Sequence, residues 1–519
     1  MNVPTRSLFG RLLAGFGAQG FSIVVRLAQQ IIMVPLFLGA WSATVYQEWL
    51  ILVAATSFLG LLDLGLHYYL ANQLLISWSA GDAAGFQRIF HLGLGIYVRV
   101  IAIAVAIVAP VAWLAAASGW LDFGATGSPS VFIAIMGMAT YTLIAMPSGV
   151  ANSIYWARGH VARGINFATG FTVLETIAVA AALWLEATPA MVALVYAGAS
   201  CLLWLCLWLD HGRCYPELGY RTLRPKIGDY VEILPKAIDY LIVPAAMSAT
   251  LQGSLLILGS VAGAAANAPV VLFATLRTLA NLARQIVAQT GHVACAEMTR
   301  FYAAGDRAQL VPLYEASARL LGGVGGLLAG GLVVVAPLVI TIWTRGKVGY
   351  EPWTFLGLLA GIVLTLPGQL AMLQLFASNQ ARALTLCMVV QAAAGCALAI
   401  PGAHFWGAAG VAWALALTEC LTVGLLPWQL GRTMGLPILR PMLTGYAAAA
   451  AGAAASFAGA KLAVALCGGS RLSELALAGV VWCALVALPA FHIMLGDQHR
   501  QRARGWLGSV ARSLTMRRP

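Results

Sequence analysis

Apolar runs about 20 residues long recur from one end of this chain to the other, and that is the length an α-helix needs to cross a bilayer. Of the 519 residues, 61% are hydrophobic and only 9% are charged, a balance that no soluble fold requires. In lipid, every backbone polar group must be satisfied within the chain, so these runs predict helices. The sequence predicts an all-α membrane protein with fourteen transmembrane helices, at residues 12–38, 47–72, 89–117, 131–156, 164–185, 188–209, 237–262, 268–292, 319–343, 353–377, 383–400, 406–428, 441–466 and 473–495.

The cations between the predicted helices fall almost entirely on one side of the membrane. The termini and every second loop hold 21 of the 30 Lys and Arg residues, whereas the other loops hold only Arg345, Lys347 and Arg471. Because Lys and Arg are retained on the cytoplasmic side, both termini are expected in the cytoplasm. A missed helix would invert this bias downstream, so the bias also supports the helix count. Topology therefore explains the net charge of +12, and we expect no nucleic-acid partner.

No pattern in the sequence predicts catalysis, a metal site or a cofactor. Most of the nine cysteines lie inside apolar runs and none forms a C-x-x-C pair, which is typical of small core hydrophobes. There is no Gly-rich phosphate loop followed by Lys and Ser or Thr. The extramembrane loops are too short to carry a catalytic centre. We therefore expect a transporter with no catalytic residue, no metal and no cofactor.

Two short motifs repeat along the chain with nearly the same spacing. The sequence Trp-Ser-Ala-Gly-Asp at 78–82 returns as Tyr-Ala-Ala-Gly-Asp at 302–306, and Pro147 in the fourth span returns as Pro367 in the tenth. Both matches relate a span to the sixth span after it, which predicts two six-helix bundles of the same orientation, related by a pseudo-two-fold axis, with a substrate site at their interface. The two prolines are either gating hinges or plain helix irregularities. The predicted domains are an N-terminal lobe at 1–212, a basic cytoplasmic linker at 213–236, a C-terminal lobe at 237–430, a helix pair at 431–496 and a basic cytoplasmic tail at 497–519.

Two arginines lie near the middle of predicted spans, Arg26 in span 1 and Arg277 in span 8, one in each repeat. A charge at the bilayer centre costs about 2.5–3.5 kcal/mol, so each demands a partner, water or a function. One explanation is pairing, of Arg26 with Asp63 or of Arg277 with Asp239, which would only pin neighbouring helices. That alternative stays open beside a functional one.

The functional explanation is an electropositive cavity for an anionic substrate head. Arg26 and Arg277 would clamp a diphosphate through charge-assisted, bidentate hydrogen bonds. Arg99 in span 3 and Arg284, two turns beyond Arg277, would draw the anion in from the cytoplasmic side. The membrane-embedded acids that are candidates for ion coupling are Asp63, Glu175 and Glu419.

Three stretches near the N-terminus, together with the twelve-plus-two helix count, resemble a known superfamily of exporters. They are Gly17–Gly20 continuing through Arg26 to Pro35, then Tyr46–Trp49, and then Leu62–Leu66. On these stretches the chain is similar to the multidrug/oligosaccharidyl-lipid/polysaccharide (MOP) exporter superfamily, and within it to the Wzx-type polysaccharide flippases. The resemblance implies two six-helix bundles around a V-shaped central cavity, and translocation of a polyprenyl-diphosphate-linked oligosaccharide by alternating access. Related lipid II flippases carry cavity arginines on their first and eighth helices, and Arg26 and Arg277 occupy similar positions.

We therefore expect a flippase of the bacterial inner membrane that moves undecaprenyl-diphosphate-linked repeat units of O-antigen, lipopolysaccharide or exopolysaccharide. Its expected partners are the lipid-linked oligosaccharide, membrane lipids, and a polysaccharide polymerase with its chain-length regulator. A lipid II flippase is an alternative, although Leu27 stands where an acidic neighbour of the arginine is common. An ion-coupled multidrug exporter is another, although the first helix carries a cation where a carboxylate would be expected. The short outer loops argue against a membrane glycosyltransferase or ligase.

Overall fold

The computed structural model describes residues 8–119, 123, 127–262, 268–303, 305–377, 381–468 and 472–487, and throughout these ranges the regular elements are helical. The helices are α1 (Leu8–Ala40), α2 (Ala43–Ser57), α3 (Leu66–Ser79), α4 (Ala83–Ser118), α5 (Ser128–Ala157), α6 (Val161–Trp184), α7 (Pro189–Cys214), α8 (Ile227–Ala262), α9 (Ala268–Ala303), α10 (Arg307–Trp343), α11 (Pro352–Ala377), α12 (Ala381–Met434), α13 (Leu439–Cys467) and α14 (Leu472–Trp482). The all-α fold class is confirmed. The predicted tail at 497–519 lies outside the described residues.

Within the described residues, 11 helices are long and apolar enough to cross a membrane. One of them, Leu384–Met434, is 51 residues long and corresponds to two predicted spans. Two shorter apolar helices, Ala245–Val261 and Ser473–Val486, match the seventh and fourteenth predicted spans. Together these segments account for the fourteen predicted spans.

The long helix α12 folds back on itself at Gly407. This glycine has φ 56° and ψ −134°, which interrupts the helix. The backbones of Gly402 and Gly410 lie so close across the fold that a Cβ on either would overlap the other's carbonyl oxygen. This interruption confirms the prediction of two spans, at 383–400 and 406–428. The two halves can pack closely because neither glycine carries a side chain that would keep them apart.

The prediction of one continuous helix over 47–72 is wrong. Helix α2 passes into a 3₁₀ turn at Phe58–Asp63, and α3 begins only at Leu66. Between them Leu64 and Gly65 both adopt left-handed backbone angles, with φ 49° and 75°. A Cβ at Gly65 would overlap the carbonyl oxygen of Ala237 in α8, so the break follows from a close helix approach that the local sequence does not reveal.

The Gly-Asp pairs that end the two repeated motifs, at 81–82 and 305–306, have the same turn geometry. In both, the glycine has a positive φ, 76° at Gly81 and 69° at Gly305. The aspartate then caps the next helix: Asp82 accepts from the N–H of Gly85 at 2.8 Å, and Asp306 accepts from that of Gln309 at 3.1 Å. Shared turn geometry at the two sites supports the duplication.

By internal contacts the chain forms two compact units, Met1–Ala274 and Thr275–Pro519. In the first, α5 packs against α3, α4 and α7, and α8 packs on α2 and α3. Large side chains such as Phe90, Tyr97 and Tyr155 fill its core. The predicted lobe boundary at 213–236 concerns the repeat and stays a prediction.

In the second unit, α10 packs most extensively against α13. Gly322, Gly326 and Gly330 form a stripe at four-residue spacing on α10, and a Cβ at any of them would overlap a backbone carbonyl of α13. Small residues let membrane helices approach closely, so van der Waals packing and main-chain contacts can hold them together. The Ala- and Gly-rich run in α13 therefore serves close helix packing.

Candidate functional site

Arg26 lies on a polar face of α1. Ser22, Gln29 and Gln30 stand one turn from it, at the three- and four-residue spacings that place side chains on one face of a helix. The Arg26 side chain is exposed, and it forms no ion pair within the described part of the chain. The alternative pairing with Asp63 is not observed. A guanidinium in this position requires water or an anionic ligand to offset the loss of solvation.

Glu175 of α6 lies next to the same face of α1. Gln29 Nε2 donates to its Oε1 at 3.3 Å, and the Tyr141 hydroxyl donates to the carboxylate as well. The carboxylate lines a cavity of about 280 Å³ that Ser200 and Asn152 also line. The Asn152 side-chain oxygen is buried without a hydrogen-bond partner among the described residues. Neutral donors thus hold the Glu175 carboxylate beside a small polar cavity, an arrangement that suits a proton or a small cation.

Asp63 lies at the break between α2 and α3. It accepts hydrogen bonds from the Tyr97 hydroxyl of α4 and from the backbone N–H of His67, the latter at 3.3 Å. Asp63 and His67 line a cavity of about 380 Å³, against which Leu241 of α8 also packs. The His67 Nδ1 atom is buried and makes no hydrogen bond in the described portion. The break therefore places two titratable groups beside one cavity.

Arg99 of α4 is half-buried, and its Nη1 atom donates to the carbonyl of Gly95 in the same helix at 2.9 Å. Gly95 approaches the carbonyl of Leu223 so closely that a Cβ would overlap it. Arg99 therefore lies near the segment that connects α7 to α8, on the cytoplasmic side that the charge distribution predicts.

The second unit holds the other predicted pair of cations, both on α9. Arg277 is half-buried. Arg284 lies two turns further, and its Nη1 atom is 3.6 Å from Oε1 of Glu419 in α12. Arg284 was predicted to bind substrate and Glu419 to couple transport to an ion, and the structure brings the two side chains together. Asp239, the alternative partner of Arg277, has a side chain outside the described residues.

Pro147 and Pro367 lie inside α5 and α11, and both helices continue through them. Pro147 also lines a cavity of about 400 Å³ with Tyr97, Trp208 and Tyr220. A proline removes one backbone hydrogen bond of the helix and so provides a point of bending. Their role as hinges stays a prediction.

The sequence presents Arg158 only as one cation of a predicted cytoplasmic loop, yet its side chain lies at the centre of a cluster in the first unit. Its guanidinium stacks on Trp78 and on Tyr215, 4.3 Å from each ring centroid, and pairs with Glu217 at 2.5 Å. The backbone of Leu223 donates to the carbonyl of His91 at 3.1 Å. The segment between α7 and α8, residues 215–226, is therefore bound to α4 and to the end of α5, whereas residues 227–236 of the predicted linker belong to α8. The sequence does contain the aromatic residues that stack on Arg158, but Trp78 and Tyr215 lie far from it along the chain, so their contact could not be predicted.

Comparison with solved structures shows which known proteins share this fold. No protein-family model matches the chain, and no curated protein matches it. The fold is similar to that of a structure described as lipid II flippase MurJ in an inward closed conformation, with a TM-score of 0.66, 10% identity, and coverage of 93% of this chain and 100% of the other. It is also similar to an inward-facing multidrug resistance MATE transporter of the MOP superfamily, with a TM-score of 0.57, 15% identity, and coverage of 83% and 99%. A third similar structure, described as MATE in complex with MaD3S, has a TM-score of 0.52 and 14% identity, with coverage of 85% of this chain and 97% of the other.

The chain is thus a multi-pass membrane protein with the fold of MOP-type transporters. That fold is shared by a lipid flippase and by drug exporters, and at these identities the likeness shows the fold alone. The choice between their activities depends on the residues described above.

Proposed function

We propose that this protein is a flippase that moves an undecaprenyl-diphosphate-linked oligosaccharide from the inner to the outer leaflet of a bacterial inner membrane by alternating access. The observation that carries the proposal is Arg26: an exposed guanidinium within a membrane-spanning helix, with no ion pair in the described part of the chain. A cation in that position is stabilised by an anionic ligand and would repel the cationic drugs that related exporters move.

A diphosphate is the anion that suits the arginines best. A guanidinium binds phosphate oxygens through two parallel, charge-assisted hydrogen bonds, and these are strong where water is scarce. In this proposal Arg26 and Arg277 clamp the diphosphate, while Arg99 and Arg284 draw it in from the cytoplasmic side. The sugars occupy the cavity, and the polyprenyl chain stays in lipid, where it is already soluble.

Transport that is not coupled to an energy source would only equilibrate the two leaflets. Glu175, Glu419 and Asp63 are the carboxylates that we propose for coupling. Glu175 is the best placed in the first unit, because it combines a cavity with neutral hydrogen-bond donors. Consumption of the product by a polysaccharide polymerase and its chain-length regulator would also favour export, and we propose these proteins as partners.

The test is deletion in the source organism, followed by analysis of surface glycan and of lipid-linked intermediates. We expect loss of O-antigen or exopolysaccharide and accumulation of the diphosphate-linked repeat unit on the cytoplasmic side. Complementation with the wild type should restore the glycan, and complementation with Arg26→Ala or Arg277→Ala should not. Unchanged glycan after deletion, in a strain without a second flippase, would refute the assignment. Full rescue by both variants would refute the diphosphate clamp.

A second candidate is an ion-coupled exporter of cationic drugs, and one observation favours it. The cavity beside Glu175 is lined by Tyr141 and Phe171 as well as by the carboxylate, a combination that binds organic cations. The two functions differ in a susceptibility assay of the deletion strain. Increased sensitivity to lipophilic cations with intact surface glycan would favour the exporter.

A further inference from the structure

The ion pair between Arg284 and Glu419 is loose and unequally buried. Its shortest N–O distance is 3.6 Å, whereas charge-assisted hydrogen bonds between such groups are about 2.7–2.9 Å long. The Arg284 side chain is 43% exposed, and that of Glu419 is 10% exposed. The guanidinium thus borders open space, and the carboxylate lies behind it.

The carboxylate is fixed by its neighbours, and the guanidinium is not. Glu419 Oε2 is 3.2 Å from the Thr422 hydroxyl, which in turn lies 3.0 Å from the side-chain oxygen of Gln391 on the other half of α12. The Nε atom of Arg284 is buried and has no acceptor among the described residues. Arg284 therefore keeps donors for a further acceptor, and a small turn of its side chain is enough to leave Glu419.

We propose that Arg284 is shared between Glu419 and the diphosphate of the substrate, and that Glu419 takes up a proton from solvent when the guanidinium moves to the phosphate. This inference rests on the proposed function. It makes Glu419 an internal competitor for the anion site and couples diphosphate binding to proton uptake within the second unit.

The proton follows from charge balance. If Arg284 turned to a phosphate, the Glu419 carboxylate would remain nearly buried without a positive partner, which is strongly unfavourable. A proton on the carboxylate removes that charge. The Thr422 hydroxyl has one proton but lies between two acceptor oxygens, those of Gln391 and Glu419. When Glu419 is protonated, its own hydroxyl can donate to Thr422, and Thr422 can donate to Gln391. When Glu419 is ionised, Thr422 can donate to the carboxylate if the Gln391 amide is rotated to present its NH₂ group.

The other groups around Glu419 do not provide a substitute charge in the described structure. The titratable groups that face it are Arg284 from α9 and Cys387 from the first half of α12. Helix α11 presents glycines, Gly361 towards the guanidinium and Gly368 towards Thr422. Of the described residues, Arg284 is thus the one that places a positive charge beside Glu419.

Binding of inorganic diphosphate to the purified full-length protein, measured by titration calorimetry from about pH 5 to about pH 8, tests this exchange. At the high end we expect Glu419→Gln to bind diphosphate about tenfold more tightly than the wild type, because Arg284 no longer has an internal partner. Arg284→Gln should bind more weakly than the wild type. Linkage requires the advantage of Glu419→Gln to shrink as the pH falls, because protonation gives the wild type the same free guanidinium.

The quantity to compare at each pH is the ratio of the wild-type Kd to the Glu419→Gln Kd. Diphosphate itself gains protons between about pH 5 and about pH 8, and this effect is common to both proteins and cancels in the ratio. Glu315→Gln is the matched control: Glu315 pairs with Arg440 at 3.5 Å on α10 and α13 and has 16% side-chain exposure. It should bind diphosphate like the wild type at each pH. Thermal unfolding checks that each variant is folded, and Glu419→Asp provides a second variant, with a weakened pair, tighter binding than the wild type and retained pH dependence.

Equal or weaker binding by Glu419→Gln at high pH would overturn the proposal, as would a Kd ratio that does not change with pH. A wild type that does not bind diphosphate would overturn it too. If the ratio responds to replacement of sodium by choline and not to pH, the compensating ion is not a proton and the proposal is wrong. Glycan analysis of the deletion strain decides the flippase assignment independently of these constants.

Discussion

Substitution of Gly65 by alanine tests whether the break between α2 and α3 is set by contact with α8. Two costs are expected. An L-residue in the left-handed region costs about 1–2 kcal/mol, and the new Cβ would overlap the carbonyl oxygen of Ala237, which adds about 1–3 kcal/mol when a packed interior must shift. The free energy of unfolding should therefore fall by about 2–5 kcal/mol.

Gly81 separates the two costs. Its φ is 76°, against 75° at Gly65, but a Cβ there would meet nothing within 4 Å. Gly81→Ala should show only the backbone cost of about 1–2 kcal/mol. Unfolding of both variants in detergent, followed by circular dichroism with heat or denaturant, measures the difference. If Gly65→Ala is no less stable than Gly81→Ala, the contact with α8 does not maintain the break and the reasoning is refuted.

Three further outcomes can be checked by the same unfolding assay. Gly326→Ala should lower stability by about 1–3 kcal/mol, because its Cβ would overlap the backbone of α13, whereas Gly424→Ala, in a helix with open space beside it, should be neutral or stabilising by up to ~1 kcal/mol. Arg158→Ala should destabilise by roughly 1–3 kcal/mol through loss of two stacked aromatic faces, and Arg158→Lys should recover part of this loss; equal stability of the wild type and Arg158→Ala would contradict the stacking. Burial raises the pKa of the Glu217 carboxyl, but the hydrogen bond from Arg158 outweighs it and leaves this pKa below its ordinary value. The resulting stabilisation is present above about pH 4.3, the pKa of an unfolded Glu, and is lost as the pH falls through the lower folded value, so the advantage of the wild type over Glu217→Gln should shrink on acidification.

The candidate site was only partly predictable. Arg26, Arg277 and Arg284 stand out in the sequence because charges in apolar runs are rare and costly. Their neighbours do not stand out: Gln29 and Tyr141 are ordinary polar residues until α1, α5 and α6 bring them to Glu175. The pairing of Arg284 with Glu419 was not foreseen, because each residue was assigned its role from its position in its own span.

The sequence by itself determined the number of spans and the all-α class, because the thickness of a bilayer and the need to satisfy backbone hydrogen bonds in lipid act on every apolar run locally. Tertiary structure alone decided the break at Leu64 and Gly65, since glycine is tolerated in membrane helices and gives no local signal until Ala237 is packed against it. It also decided which charge meets which, because ion pairs form between helices whose order in space is not written in their order along the chain. The bilayer fixes each helix separately, and only the packing between helices makes a site.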